Sequence, residues 1–420
     1  MRVVHIVTAF PRHDGDVITP WLGRVLLRLR EEGVDASVLA PSYRGGGSAE
    51  WRGVPVHRFR YAPSRFETLT HDETVPDRLR NNPYYTALLP SYMLGGLIAA
   101  INIARVRPDV LHVHWPVPNA FFGSAGKMAM SGDAALVSSY YSVELKWLEH
   151  RLPWLLPCLR WSIECADEVT AISTATAALV GSYTNRPVRI IPFAAGVDTV
   201  QPRSEAGKPV TTSLVPEKDV LLGEGKLEGS TEVLFVGRLV ERKGVEVLVR
   251  AISKLRGHRD VRLTIVGEGP WAPQVRETIL AEGVEDAVFM VGKVKTNDLS
   301  RIYEKASVFV LPAVIDAKGD TEGLGVVLIE AIRAGVPVIG SNIGGIPDIV
   351  VHGETGWLVP SGHVEALANA IEEVLTSPSE ALRRVRKGRE RIDERFSLAG
   401  VVAALTDCYE SALTKVRSPR

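Results

Sequence analysis

The 420-residue chain has three cysteines, Cys158, Cys165 and Cys408, at spacings that fit neither a disulfide framework nor a thiolate metal site. A small stapled secreted fold is therefore excluded, and a reducing compartment is expected. Net charge is also absent. The 49 Lys and Arg are balanced by 49 Asp and Glu, so no global field favours nucleic acid or an anionic surface. The longest apolar run, residues 93–104, is interrupted by glycines and Asn102 and falls short of a membrane span. At the N-terminus one Arg precedes residues 3–7, too short for a signal-peptide core and better suited to a first strand. There is no low-complexity tract. These absences leave a soluble, cytoplasmic globular protein, long enough for two domains with full cores.

What the chain does have is alternation of strand and helix. Residues 3–7 read as a strand. A helix follows, with Thr19 as N-cap, Pro20 in the first helical position, and Trp21, Leu22, Val25, Leu26 and Leu29 on one face. Gly33 ends it, and residues 34–40 form the second strand. This is the opening of a doubly wound parallel sheet, whose ligands sit beyond the strand carboxyl ends, so the loop at Gly15 faces a site. Residues 44–53 read as loop and 54–58 as a short strand, with a polar connection to about residue 83. A helix at 84–105 and strands at 109–114, 135–140, 168–172 and 188–191 follow. Residues 201–229 are polar, with Gly, Pro and Ser throughout, and read as loop. A second series starts at 232–236 and ends in helices at 366–375, 380–396 and 401–413.

Several chemical motifs compete for attention. His112 and His114 share one face of a strand by its period of two, which could ligate a metal, but no third ligand is evident and packing or acceptor contact is expected. Asp14-Gly15-Asp16 spells a metal-binding Asp-x-Asp without a companion acidic or His cluster, and no metal site is assigned to it. In residues 145–161, Trp147, Trp154 and Trp161 recur every seventh residue among Lys146, Arg151 and Arg160. That composition can dock on a membrane or hold a lipid-linked acceptor, but Pro153 and Pro157 break a single helix and core packing is expected. Residues 267–272 satisfy Gly-x-Gly-x-x-Ala, yet they follow the second strand of their half. Pro270 would more simply start a helix there, which disfavours a nicotinamide site.

Two loops carry stronger chemistry. Arg238 and Lys243 lie between a strand end and a helix N-terminus, where a phosphate belongs. Glu322 and Glu330, with seven residues between them, flank the amides of Gly323, Leu324 and Gly325 at the start of a helix over 326–334, ended by Gly335. From these residues alone, Glu322 could equally be a helix cap, and Glu330 could pair with Arg333 one turn on.

The stretch 321–345 resembles the Glu-seven-residues-Glu signature of the retaining nucleotide-sugar glycosyltransferases of GT-B fold (glycosyltransferase group 1). Gly237-Arg238 to Lys243-Gly244 is similar to the family's diphosphate clamp, residues 10–16 to its glycine loop, and Ile191 to Asp198 to its interdomain linker. Gly344-Gly345-Ile346-Pro347-Asp348 fits the pattern with Asp in place of the usual Glu, and Tyr141 stands where the family usually has His. The resemblance implies an α/β chain of two Rossmann-like doubly wound domains facing a central cleft. Residues 1–195 would face the acceptor and 196–400 the donor, while 401–420 would form a helix returning to the first domain. It further implies a metal-independent hexosyltransferase of glycan biosynthesis that keeps the anomeric configuration. The donor would be a nucleoside diphosphate sugar, commonly a UDP-sugar, the acceptor a glycan, glycolipid or small-molecule hydroxyl, with no other cofactor and a possible peripheral membrane contact. Glu322, Arg238, Lys243 and Tyr141 would carry catalysis. Gly15, Gly292 and the amides of Gly323, Leu324 and Gly325 would hold the donor, with Glu330 on the ribose. A nucleotide-sugar epimerase and a non-catalytic nucleotide-sugar-binding protein are the alternatives.

Overall fold

The computed structural model describes residues 1–14, 16, 18–71, 75–194 and 231–418. The expected linker, Ile191 to Asp198, is described only to Ala194, and the loop at 201–229 lies outside the described residues. The chain divides into two compact units, Met1–Ala194 with Arg395–Arg420, and Ala195–Glu394.

Unit 1 contains, in order, β1 (Arg2–Ile6), α1 (Pro20–Glu31), β2 (Asp35–Pro41), β3 (Glu50–Trp51), β4 (Val54–Phe59), α2 (Val75–Asn81), α3 (Leu89–Ile103), β5 (Val110–His114), α4 (Pro116–Ala129), β6 (Ala135–Tyr140), α5 (Val143–Arg151), α6 (Leu156–Glu164), β7 (Glu168–Ala171), α7 (Thr174–Gly181) and β8 (Arg189–Ile190). Unit 2 follows with β9 (Thr231–Val236), α8 (Val245–Leu255), β10 (Val261–Val266), α9 (Ala272–Glu282), β11 (Val288–Gly292), α10 (Thr296–Lys305), β12 (Val308–Leu311), α11 (Val326–Ala334), β13 (Val338–Ser341), α12 (Ile346–Ile349), β14 (Trp357–Val359), α13 (Val364–Thr376) and α14 (Pro378–Arg395). The last helix, α15 (Leu398–Arg417), belongs to unit 1 and begins three residues before the expected boundary at 401.

The sheets have the orders β3-β4-β2-β1-β5-β6-β7-β8 and β11-β10-β9-β12-β13-β14. All pairings are parallel except β3 with β4. In each, the chain builds outward from the first strand and then crosses to its other side. The crossing leaves a switch point between β1 and β5 in unit 1, and between β9 and β12 in unit 2. Both faces of the first sheet are buried. Val3, Ala36 and Val110 pack under α1 and α15 through Leu22, Leu26 and Val402. Val4, Ile6 and Leu111 alternate to the other face, under Tyr92, Ala100 and Phe122 of α3 and α4.

Several local expectations are corrected. Thr19 sits at the N-cap of α1 with φ of 43°, and its hydroxyl makes no cap bond, because a side-chain cap needs an extended backbone there. Helix α9 starts at Ala272, with Pro273 rather than Pro270 in its first turn. The polar connection before residue 83 holds α2, and the loop at 44–53 holds β3. The helical run Pro83–Val106 spans 24 residues, so it is long and apolar enough to cross a membrane, contrary to the shorter reading. One face of that run, Tyr92, Gly96, Ala100 and Ile103, is nevertheless built into unit 1. Of the tryptophans of 145–161, Trp147 packs against the core as a partly buried side chain, but the other two do not. Leu145, Leu148 and Leu159 fill the interior, while Trp154 is 71% exposed and Trp161 lies at the surface, stacked on Phe121.

Candidate active site

The loops leaving β9 and β12 meet at the switch point of unit 2. Lys243, in the turn between β9 and α8, donates from Nζ to Oε2 of Glu322, and their side chains are only 12% and 15% exposed. Glu322 Oε1 accepts the N–H of Gly325 at 3.2 Å. Burial alone would raise the Glu322 pKa. The charge and hydrogen bond of Lys243, the charge of Arg242 and the Leu324 N–H outweigh it, and the carboxyl is held below its usual range. Glu322 is therefore an anion at the N-terminus of α11. The carboxylate sits where the helix end also favours a phosphate, because both are anions drawn to free N–H groups. The expectation of open amides is corrected in part: those of Leu324 and Gly325 already face this carboxylate.

The Glu322 turn is propped from below by Gly344 and Gly345, between β13 and α12. The Gly345 N–H donates to the Glu322 carbonyl at 3.1 Å. A Cβ on Gly344 would lie 2.0 Å from that same carbonyl oxygen, and one on Gly345 would lie 2.1 Å from the Gly323 oxygen. Glu330, half-buried in α11, accepts from the Tyr303 hydroxyl at 3.1 Å. Burial and then the Glu330 charge push that phenol well above its ordinary value, so it stays a donor. Arg333 reaches Asp393 at 3.6 Å. Arg238 is exposed in the same loop as Lys243.

Gly292 ends β11 with φ of 70°, and its carbonyl accepts the Gly267 N–H at 2.8 Å. The Gly267-Glu268-Gly269 motif has a packing role. Side chains at the two glycines would come within 1.9 Å and 2.0 Å of the Gly237 and Leu239 carbonyl oxygens, so these glycines let the β9 and β10 loops touch backbone to backbone.

In unit 1, Gly15 lies outside the described residues. Asp16 accepts from the Arg12 N–H at 3.1 Å and from Arg12 Nε at 2.6 Å, while Asp14 turns outward, 3.8 Å from Arg52. The two carboxylates thus have different partners. Tyr141 is buried among Trp21, Trp115 and Phe193, and its hydroxyl shares a hydrogen bond with His114 Nδ1 at 2.5 Å. The phenol expected at the sugar or acceptor is thus turned inward, with burial raising its pKa well above the ordinary value.

The third imidazole that spacing along the chain does not reveal is His5. It stands opposite His112 in the β1–β5 register, and its Nδ1 is 3.0 Å from His114 Nε2. His112 contacts the hydroxyls of Tyr409 at 2.8 Å and Ser139 at 2.7 Å. Burial lowers the His5 pKa to about 3 and holds the other two well below their ordinary value, so all three rings are neutral near pH 7. Glu144 was also missed. Its Oε1 accepts the Tyr141 N–H at 2.6 Å, its Oε2 is enclosed without a hydrogen-bond partner, and burial raises its pKa to about 7. Period-two alternation carried His5 no signal, because a histidine on an apolar strand face reads as core.

Comparison with known proteins gives the following. Residues 223–391 match the family model described as glycosyl transferases group 1, and residues 19–196 match a glycosyl transferase 4-like domain. A Mycobacterium tuberculosis protein named GDP-mannose-dependent alpha-(1-6)-phosphatidylinositol monomannoside mannosyltransferase is 29% identical over 97% of both chains. The protein of the same name from Mycolicibacterium smegmatis is 30% identical over 65% of this chain and 71% of its own. Among solved structures, sucrose-phosphate synthase from Thermosynechococcus elongatus superimposes with a TM-score of 0.72 at 21% identity, covering 98% of this chain and 99% of the other.

Proposed function

This chain belongs to the group 1 glycosyltransferases and has their GT-B fold, and from that premise we propose how it works. It transfers a hexose from a nucleoside diphosphate sugar to an acceptor hydroxyl, retaining the anomeric configuration, with no metal ion at the diphosphate. The Lys243–Glu322 pair at the β9/β12 switch point carries the reading. Lys243, with Arg238, offsets the negative charge that builds on the departing nucleoside diphosphate. Glu322 faces the sugar and favours positive charge at the anomeric carbon. Glu330, oriented by Tyr303, holds the ribose hydroxyls. We assign no covalent nucleophile, and the leaving phosphate accepts the acceptor's proton on the same face.

The relative matching 97% of both chains is named for GDP-mannose, and that name supports guanosine over the uridine implied by the family resemblance. Calorimetric titration with GDP, UDP and ADP tests the donor side. GDP is expected to bind most tightly, with the same affinity in EDTA. Glu330→Ala should weaken that affinity by about 1–3 kcal/mol, roughly 5- to 150-fold, the loss of hydrogen bonds to a charged acceptor. Unchanged affinity would remove Glu330 from the ribose.

The acceptor reading is a lipid-linked hydroxyl at an anionic bilayer. Opposite the buried face of α3, Leu94, Ile98 and Ile101 recur at i, i+4 and i+7 and are at least half exposed. Residues 78–108 contain Arg78, Arg80, Arg105 and Arg107 and no Asp or Glu. An apolar stripe on a segment with basic and no acidic residues suits an in-plane contact with anionic lipid. The wild type should therefore sediment with vesicles containing anionic phospholipid, and Ile98→Glu should release it. Equal sedimentation of the two would end the bilayer assignment.

A further inference from the structure

We infer that His5, His112 and His114 form a buried site for one divalent transition-metal ion of the zinc class, at the β1/β5 switch point of unit 1. The inference rests on unit 1 alone and stands apart from the donor chemistry of unit 2.

The strand register brings the ligands together. His5 pairs with His112 across β1 and β5, and His114 lies two residues further on the same face. One ring nitrogen from each of the three lies within 4.8 Å of the others. His5 Nδ1 and His114 Nε2 are 3.0 Å apart, close to the separation of about 3.3 Å that two nitrogens take on a tetrahedral zinc with bonds of about 2.0–2.1 Å.

The surrounding groups suit an ion as well. Ligating histidines generally have their other ring nitrogen held by a neighbour. Here His114 Nδ1 is held by the Tyr141 hydroxyl and His112 Nδ1 by the Tyr409 hydroxyl, which leaves Nε2 of each ring to turn inward. Ser139 now contacts His112 Nε2 but also has Thr170 Oγ1 at 2.5 Å, so it keeps a partner when an ion takes that nitrogen. His5 lacks such a holder: its Nδ1 faces His114 Nε2, and its Nε2 is fully enclosed with no partner. The three rings border a cavity shared with Ser139, Tyr141 and Thr170, which provides room for a water as fourth ligand.

Because all three rings are buried, the ion is best loaded as the chain folds. The full chain, without a histidine tag, would be expressed in minimal medium supplemented with zinc or with cobalt. The expected result is about one equivalent of metal per chain after gel filtration in EDTA. X-ray absorption should show three imidazole ligands at about 2.0–2.1 Å, and the metal-loaded protein should melt several degrees above the metal-free one. His5→Gln should lower the content below a tenth of an equivalent, whereas His150→Gln, at an exposed histidine, should leave it unchanged. Metal-free wild type, an X-ray absorption signal without three imidazoles, or full metal retention in His5→Gln would each overturn the site. If His5→Gln does not fold, the absorption spectrum of the wild type decides alone.

Discussion

Lys243→Ala is expected to lower kcat by about 10²–10³-fold while raising the donor's KM far less. The charge that Lys243 meets is larger in the transition state than in the ground state, and removing one aligned electrostatic group from a screened site typically costs that much. If only KM rises, Lys243 is a uniform binder and the proposed clamp is wrong. The same substitution has a second consequence that needs no substrate. Glu322 is left largely buried without its cation, and breaking such a pair costs about 3 kcal/mol or more. In the wild type the Glu322 pKa is lowered, so its contribution is present above the unfolded carboxyl value and is lost as pH falls through the folded one. Without Lys243 burial prevails and the folded value rises, so the variant loses stability as pH climbs. The gap in melting temperature between wild type and variant should therefore widen from pH 4 to pH 7. Glu322→Gln in the Lys243→Ala background should close most of it, since no unpaired charge remains. A gap independent of pH would show that the ion pair is not its origin.

The second large effect is expected at the turn beneath Glu322. Gly344 combines φ of 58° with a carbonyl oxygen only 2.0 Å from any added Cβ. Gly345 has an ordinary φ of −86° but a comparable obstruction, and Gly362 has φ of 75° with nothing within 4 Å. The three positions separate strain from collision. Gly362→Ala should cost about 1 kcal/mol, the usual penalty for a left-handed alanine. Gly345→Ala should displace the Gly323 carbonyl and with it Glu322, cutting turnover about 100-fold, because a shift of an ångström in a positioned group costs that much. Gly344→Ala should add the strain to the displacement and destabilise unit 2 by at least about 3 kcal/mol. Differential scanning calorimetry and initial rates measure both. Full activity in Gly345→Ala would mean that this turn does not position Glu322.

The sequence by itself determined the parts of this protein that depend on local chemistry. The two βα series, the helix 326–334 between Gly325 and Gly335, and the loop holding Arg238 and Lys243 follow from hydrophobic period, turn residues and charge at helix starts. Those signals act over a few residues, and the family resemblance rests on the same short stretches. Only the tertiary structure decided the rest. Lys243 and Glu322 are 79 residues apart in the chain and meet because β9 and β12 are neighbours at a crossover, which no local pattern encodes. The same holds for His5, 109 residues from His114, and for Tyr409, which α15 brings from the far end of the chain onto His112. Trp154 and Trp161 were misread as core for the converse reason. Spacing shows that side chains share a helix face, but whether that face is covered depends on what packs against it.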